Sequence, residues 1–454
     1  MGLYRIFPEK DTWITNRSSD SALQYATGSN HGRSPSLNVF ANESEYFAGT
    51  LDVARALVQF SITELSGKIY SEGIIPSSNV SYYLKMFDVK HEDTVPSSYD
   101  LYIYPLSESW DEGNGIDDEN DYDIGSANWI DRTSTQQWSI TGSEFIEEEV
   151  VRQHFDHGDE DLEVDITDIV INWLTGTIDE NGLIVKLAPT EEDSGDYFRK
   201  VFHGMETKYV DKIPYIEARW NDVIKDNRGN FAFDNASKLY LYNFIRGELV
   251  DLTEPVNVRV QDSLNSASYS TGSTATKVET GIYEVELNIP QGSYLSSTFR
   301  DIWYGSTSVH MTGAFVPLVL SSSQVDPYDD FVVKPTNLKG IYCIDDEARI
   351  IVNVRKKNFI THVGPVSSGT LEMEKEYIEK MYYSVINDET GEVVIPFGTG
   401  SVAHTQLSYN SDGNYFNIWM KSFIPGFKYR IKFLIDINRY DKKVIDDEFT
   451  FKVV

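Results

Sequence analysis

The 454-residue chain has a single cysteine, Cys343, so no internal disulfide staples any part of it. One thiol and eight scattered histidines leave little from which to build Cys–His nucleophilic chemistry. Cys343, between Tyr342 and Ile344, reads as a small buried apolar residue. No apolar run approaches the roughly 20 residues needed to cross a bilayer, so no membrane insertion is expected. No basic stretch leading into an apolar one opens the chain, and strand-like sequence begins at residues 3–7. That pattern predicts a protein kept in a cytosol or released by lysis. A Gly-rich phosphate loop, Gly-x-Ser-x-Gly, Cys-x-x-Cys and His-Glu-x-x-His are all missing. Positive charge is scarce as well. Lys and Arg number 39 against 71 Asp and Glu, a formal charge of −32 that repels phosphate backbones and excludes nucleic acid as a partner.

What is present is aromatic and polar. The 28 Tyr, 23 Phe and 8 Trp, set among Ser, Thr, Asn and Gly, are the composition of β-sandwiches with polar loops. The same composition suits surfaces that bind sugars or partner proteins. A chain this long divides into several cores, since single cores rarely grow past about 250 residues.

Three regions follow from the pattern of strands and breaks. The first, 1–222, carries strand candidates at 54–60, 80–89, 100–105, 183–187, 197–202 and 215–220. Between the third and fourth lies a long acidic, strand-poor insertion at 111–137, a length uncommon in loops without a function or a partner. A polar break at 221–230 reads as a linker into a second region, 223–325, with strand candidates at 238–243, 256–261, 281–289 and 315–320. There Tyr283, Val285, Leu287 and Ile289 alternate with Glu284, Glu286 and Asn288, the period of a half-buried strand. A second linker at 321–330 precedes a third region, 326–454, with candidates at 349–354, 382–387, 415–419, 428–437 and 448–453. Residues 372–380 suit either a helix or an exposed strand edge. The last two regions, short-stranded and without helical periodicity, are expected to be immunoglobulin-like sandwiches.

One segment departs from the strand pattern. Ile166, Ile169, Val170 and Trp173 form a single stripe at helical spacing, preceded by the capping residue Asp165 and followed by the stop Gly176. The turn Asp179-Glu180-Asn181-Gly182 then leads into the apolar run 183–187.

Six segments of the first region, in order, carry a resemblance. They are Asp11-Thr12-Trp13-Ile14; Asn30-His31-Gly32-Arg33-Ser34-Pro35-Ser36-Leu37-Asn38-Val39; Arg55-Ala56-Leu57-Val58-Gln59-Phe60; Trp110-Asp111-Glu112-Gly113; Ala127-Asn128-Trp129, with Trp138 beyond; and the helix with its Asn-Gly-Leu exit. Together they resemble the DNRLRE-type (disaggregatase-related) carbohydrate-binding module over about half of the chain. Residues 214–222 and 226–231, with 281–285 and 301–305, resemble virion structural proteins of contractile-tailed bacteriophages.

The resemblance implies an all-β chain: an N-terminal jelly-roll-like β-sandwich with one short helix, followed by two immunoglobulin-like β-sandwich domains. It further implies a non-enzymatic tail, baseplate or neck component located in the virion, assembled in host cytoplasm. Its partners would be other virion proteins and itself as a homo-oligomer, with a host surface glycan as the alternative ligand. Trp110, Trp129 and Trp138 either stack on a pyranose ring or pack the insertion onto the sandwich. Asp111, Asp117, Asp121 and Asp123, with Glu112 beside them, supply oxygens for calcium or form a solvated acidic run; no other cofactor is expected. His154 and His157, with Asp156 and Asp159, form either a metal clip or a solvated turn.

Overall fold

The structure, a computed structural model, describes residues 2–17, 26–44, 47–90, 96–116, 126–245, 248–264, 270–292, 294, 297–319, 331–357, 376–410, 412–436 and 442–454. The chain is all-β and forms two compact units, Leu3–Arg219 and Trp220–Val454 with Met1–Gly2.

The first unit contains β1 (Gly2–Ile6), β2 (Pro8–Thr15), β3 (Ser36–Glu43), β4 (Leu51–Phe60), α1 (Ile62–Ser66), β5 (Val80–Met86) and β6 (Tyr99–Pro105). Then come β7 (Asp131–Thr133), β8 (Gln136–Gln137), β9 (Val151–Phe155), β10 (Leu162–Asp165), α2 (Thr167–Thr175), β11 (Leu183–Leu187), α3 (Pro189–Glu192), β12 (Phe198–His203) and β13 (Tyr215–Trp220). One sheet runs β1-β13-β5-β10; the other runs β12-β3-β4-β11-β6-β9, with β2 also paired to β4. Strand β5 seams the two on one side: His203 N–H donates to the Phe87 carbonyl and Val89 N–H to the Val201 carbonyl, both antiparallel continuations past Met86. On the other side the Gln153 amide of β9 bridges to β10, donating to the Asp161 carbonyl and accepting the Glu163 N–H.

Helix α2 forms where the stripe predicts, with Ile169, Val170 and Trp173 buried. Asp165 accepts the Thr167 N–H at 2.9 Å, and Gly176 closes the helix at φ 71°. Two further short α-helices accompany it, α1 running on into a π turn at Gly67–Ser71. Ser61 caps α1 by accepting the Glu64 N–H at 3.2 Å, and Pro189 opens α3, where its missing N–H costs nothing. Strand β11 is buried along its whole length, which is why 183–187 shows no alternation. One of its faces carries the inter-sheet core. The other, with Ile184 beside Ile14, Leu57 and Tyr104, is covered by Leu106, Trp110, Ala127 and Trp138, from the insertion and its two flanks.

In the second unit, a three-stranded sheet (Ser237–Tyr242, Ile282–Leu287, Thr276–Glu279) opposes a four-stranded one (Ser270–Thr274, Asn257–Asp262, Phe299–Tyr304, Val309–Phe315). Between them lies a core that includes Phe231, Leu239, Val258, Val285 and Trp303. The expected strand at 315–320 ends instead at Phe315, and Leu318 makes only an isolated parallel bridge with Ala232. Pro317 lacks the N–H that would continue a ladder. A second immunoglobulin-like sandwich follows, of four strands (Phe331–Pro335, Glu347–Lys356, Gly413–Trp419, Ser408–Asn410) and five (Ile341–Tyr342, Lys442–Val453, Lys428–Asp436, Met381–Asn387, Val393–Ile395). Glu376 bridges Val354 as a strand edge; 372–375 lie outside the described residues. Cys343 is exposed rather than buried, because it opens a turn in which its N–H is held by Asp346 at 2.9 Å.

The polar break at 221–230 is a strap. Ile224 N–H donates to Ser408 Oγ, Asp226 N–H to the Tyr409 carbonyl, and Tyr409 N–H to the Ile224 carbonyl. Toward the sandwich of residues 237–315, Lys225 N–H donates to Tyr242 Oη at 2.8 Å, and the Arg228 guanidinium is paired with the fully buried Asp301. Asp301 also accepts the Trp303 indole N–H at 2.8 Å.

Candidate functional site

The motif segments read from the sequence converge on one cluster in the first unit. Asn30 is its hub. The Asn30 amide is buried, and each of its groups is used: Nδ2 donates to the Glu112 carbonyl at 2.7 Å and the Ala127 carbonyl at 2.9 Å. Its Oδ1 accepts the Gly115 N–H at 2.8 Å and the Gly32 N–H at 3.2 Å. The glycines are obligatory. A Cβ on Gly32 would lie 2.3 Å from the Glu112 carbonyl oxygen, and one on Gly115 would lie 1.9 Å from that of Asn30.

Against this hub sits a pair of acids. Asp11, on β2, is fully buried, and its backbone N–H donates to Glu112 Oε1 at 3.0 Å. Asp11 Oδ2 accepts the Met205 N–H at 2.7 Å, while Oδ1 has no hydrogen-bond partner among the described residues. Burial, offset in part by the Met205 N–H and reinforced by the charges of Glu112 and Glu206, pushes the Asp11 carboxyl up to about 7. Burial also raises Glu112 above the usual carboxylate range. Glu206 is held by Arg33.

A second shifted acid lies on the other side of Trp110. Burial lifts Glu180 to about 7, with the Gln59 amide at 2.9 Å and Lys10 pulling the other way. Lys10 donates to the Trp110 carbonyl, and its Nζ stands 4.5 Å from the centre of that indole. Burial lowers the Lys10 ammonium despite Asp111, Glu180 and Glu112 around it.

The tryptophans are placed as anchors. Trp110 is 1 % exposed and donates its indole N–H to the Asn181 carbonyl at 2.9 Å; Trp138 is 4 % exposed and donates to the Asn128 carbonyl at 2.9 Å. Neither ring offers a face to a sugar, because both cover the apolar side of β4 and β11. Trp129 is half-buried, packed against the same cluster, with the Arg55 guanidinium 5.0 Å from its ring centre. Asp111 is exposed and joins the cluster through its backbone, donating to the Arg132 carbonyl and accepting from Ala127. Asp117, Asp121 and Asp123 lie outside the described residues. His154 is exposed, with Nδ1 3.2 Å from Asp100 and Nε2 3.5 Å from Asp156. Among the described residues no group of three or more His, Cys, Asp or Glu is placed to hold a metal ion.

Asp11, Asn30, Glu112 and Glu180 were present in the motif segments and the helix exit, yet the sequence marked only Glu112, as one of the acidic oxygens of the insertion, and did not join the four into a site. Their only signal is order along the chain; their proximity comes from the pairing of β2 with β4, which lays Asp11 opposite Val58.

No family model and no curated protein matches the chain. Among solved structures it is similar to the Ig1-2 module of the Drosophila receptor protein tyrosine phosphatase DLAR, with 9 % identity over 51 % of this chain and 97 % of that one, TM-score 0.17. It is also similar to a biofilm-associated protein BSP domain, with 9 % identity over 97 % and 68 %, TM-score 0.17. Trypsin-activated alpha-2-macroglobulin from Escherichia coli is similar at 8 % identity over 88 % and 24 %, TM-score 0.17. Likenesses this distant carry no functional argument.

Proposed function

We propose that this protein is a non-enzymatic structural component of a tailed-phage particle that works by holding a fixed geometry against other virion proteins. The supporting observation is the strap at 223–230. A segment hydrogen-bonded to both of the sandwiches that follow it makes two immunoglobulin-like domains a stiff spacer, because bending them apart requires breaking its backbone bonds as well as the Arg228–Asp301 pair. The hydrogen-bonded cluster in the first unit works in the same direction: its polar side chains lock a loop onto a sheet. Mass spectrometry of purified particles tests the reading. Stoichiometric copies are expected, and absence from the particle overturns it.

A second reading, glycan binding by the first unit, rests on the convergence of the carbohydrate-module-like segments at Asn30. Trp129 is the one half-exposed ring of the three at that cluster. Glycan arrays and calorimetry on the whole chain are expected to show binding that Trp129→Ala abolishes; no binding by the parent chain removes this reading.

A further inference from the structure

We propose that the segment from Trp110 to Gly115 is held by a proton-operated clamp: a neutral Asp11 carboxyl keeps it docked, and loss of that proton releases it. The geometry is specific. Asp11, on β2, stands between two loops, its N–H fixing Glu112, its Oδ2 fixing Met205, and its Oδ1 buried without a hydrogen-bond partner among the described residues. A carboxylate there buries a charge whose one accepted bond satisfies only half of it, and burying such a charge is costly.

The charged groups that face it are mostly of the same sign. Glu112 comes from the docked segment and Glu206 from the loop after β12. Arg33, from the loop before β3, is engaged by Glu206, and Lys10 on the same strand as Asp11 is turned to the Trp110 carbonyl. His31 is stacked on Trp13 at 3.6 Å with Nδ1 on the Trp13 carbonyl. No described cation donates a hydrogen bond to the Asp11 carboxyl. Deprotonation therefore sets the Asp11 carboxylate against the Glu112 carboxylate that the docked segment carries. Departure of that segment breaks the Asn30 amide's bonds to the Glu112 carbonyl and the Gly115 N–H.

Hydrogen exchange on the whole chain between pH 5 and pH 9 tests the clamp, with rates corrected for the intrinsic tenfold rise per pH unit. The Gly115 amide (on Asn30 Oδ1) and the Ala127 amide (on the Asp111 carbonyl) report the docked state. Their protection is expected to fall at least tenfold as pH rises, while amides in the sandwich centred on Trp303 stay constant. In Asp11→Asn, which keeps the shape and an acceptor for Met205, protection is expected to be independent of pH. Constant protection in the parent chain overturns the proposal without any variant; an Asp11→Asn profile that still falls overturns it as well.

Discussion

Lys200 shows how much one side chain can be asked to hold. Only 1 % exposed, its ammonium donates to Asp88 at 2.6 Å and to the carbonyls of Gly158 and Glu160 at 2.9 and 2.7 Å, between the rings of Phe155 and Phe202. Lys200→Met keeps the stem and deletes the charge, leaving Asp88 and two carbonyls without it. A loss of about 3–5 kcal/mol is expected from denaturant unfolding of the chain, the usual cost of breaking a buried pair from one side. The double variant with Asp88→Asn should recover part of that loss. Asn30→Ala removes four hydrogen bonds at once and should cost about 2–4 kcal/mol in the same measurement.

Titration at this scale has a definite sign. Asp11 and Glu180 keep their protons in the folded chain up to about 7, whereas unfolded carboxyls release them near 4. Between those values the folded state binds more protons, so stability falls as pH rises through that window and is flat for these groups above it. Glu217 acts oppositely: burial pushes it up, but Arg5 and Arg219 more than offset this and hold it low, so its contribution is lost on acidification. Thermal unfolding from pH 4 to 8 should show a decline of order 2–4 kcal/mol from Asp11 that Asp11→Asn removes.

At the scale of elements, the glycines at the two ends of the turn after α2 separate two kinds of constraint. Gly176 has φ 71° but open space around its Cβ position, so Gly176→Ala should cost only the left-handed strain, about 1 kcal/mol. Gly182 has φ 95°, and a Cβ there would meet the Val58 carbonyl oxygen at 2.7 Å, so Gly182→Ala should cost several times more and disturb the pairing of β11 with β4. Comparing the two midpoints of unfolding checks the contrast. Helix α2 and most strands were legible because burial of one face writes its period into the sequence. Edge strands such as Val309–Phe315 were not, since Phe315 is the one buried residue of the strand and a single buried position writes no period. Ser61-Ile62-Thr63-Glu64 did carry a capping signal for α1, but only Leu65 and Ile69 are buried along it and the π turn that follows, too few to show a stripe.

For the molecule, the strap implies that the two immunoglobulin-like sandwiches unfold together. Arg228→Ala leaves Asp301 buried without its guanidinium, and Tyr409→Phe removes the bond to Asn227 at 2.8 Å. Calorimetry of the double variant should show the transition of residues 220–454 splitting in two, where the parent gives one. A single undivided transition would show that the strap does not couple them. The break at 221–230 looked like a linker because its residues are polar, and polarity is equally what a hydrogen-bonded strap requires.

The sequence by itself determined the all-β class, the helix at 167–175 and the order of the motif segments, because alternation, capping and glycine placement are local properties. Only the tertiary structure decided that Trp110 and Trp138 point inward as anchors, that Asp11 meets Glu112, and that the polar break is bound on both sides. Each of these depends on which groups distant along the chain meet through strand pairing, and burial, the source of the shifted acids, has no meaning until they do.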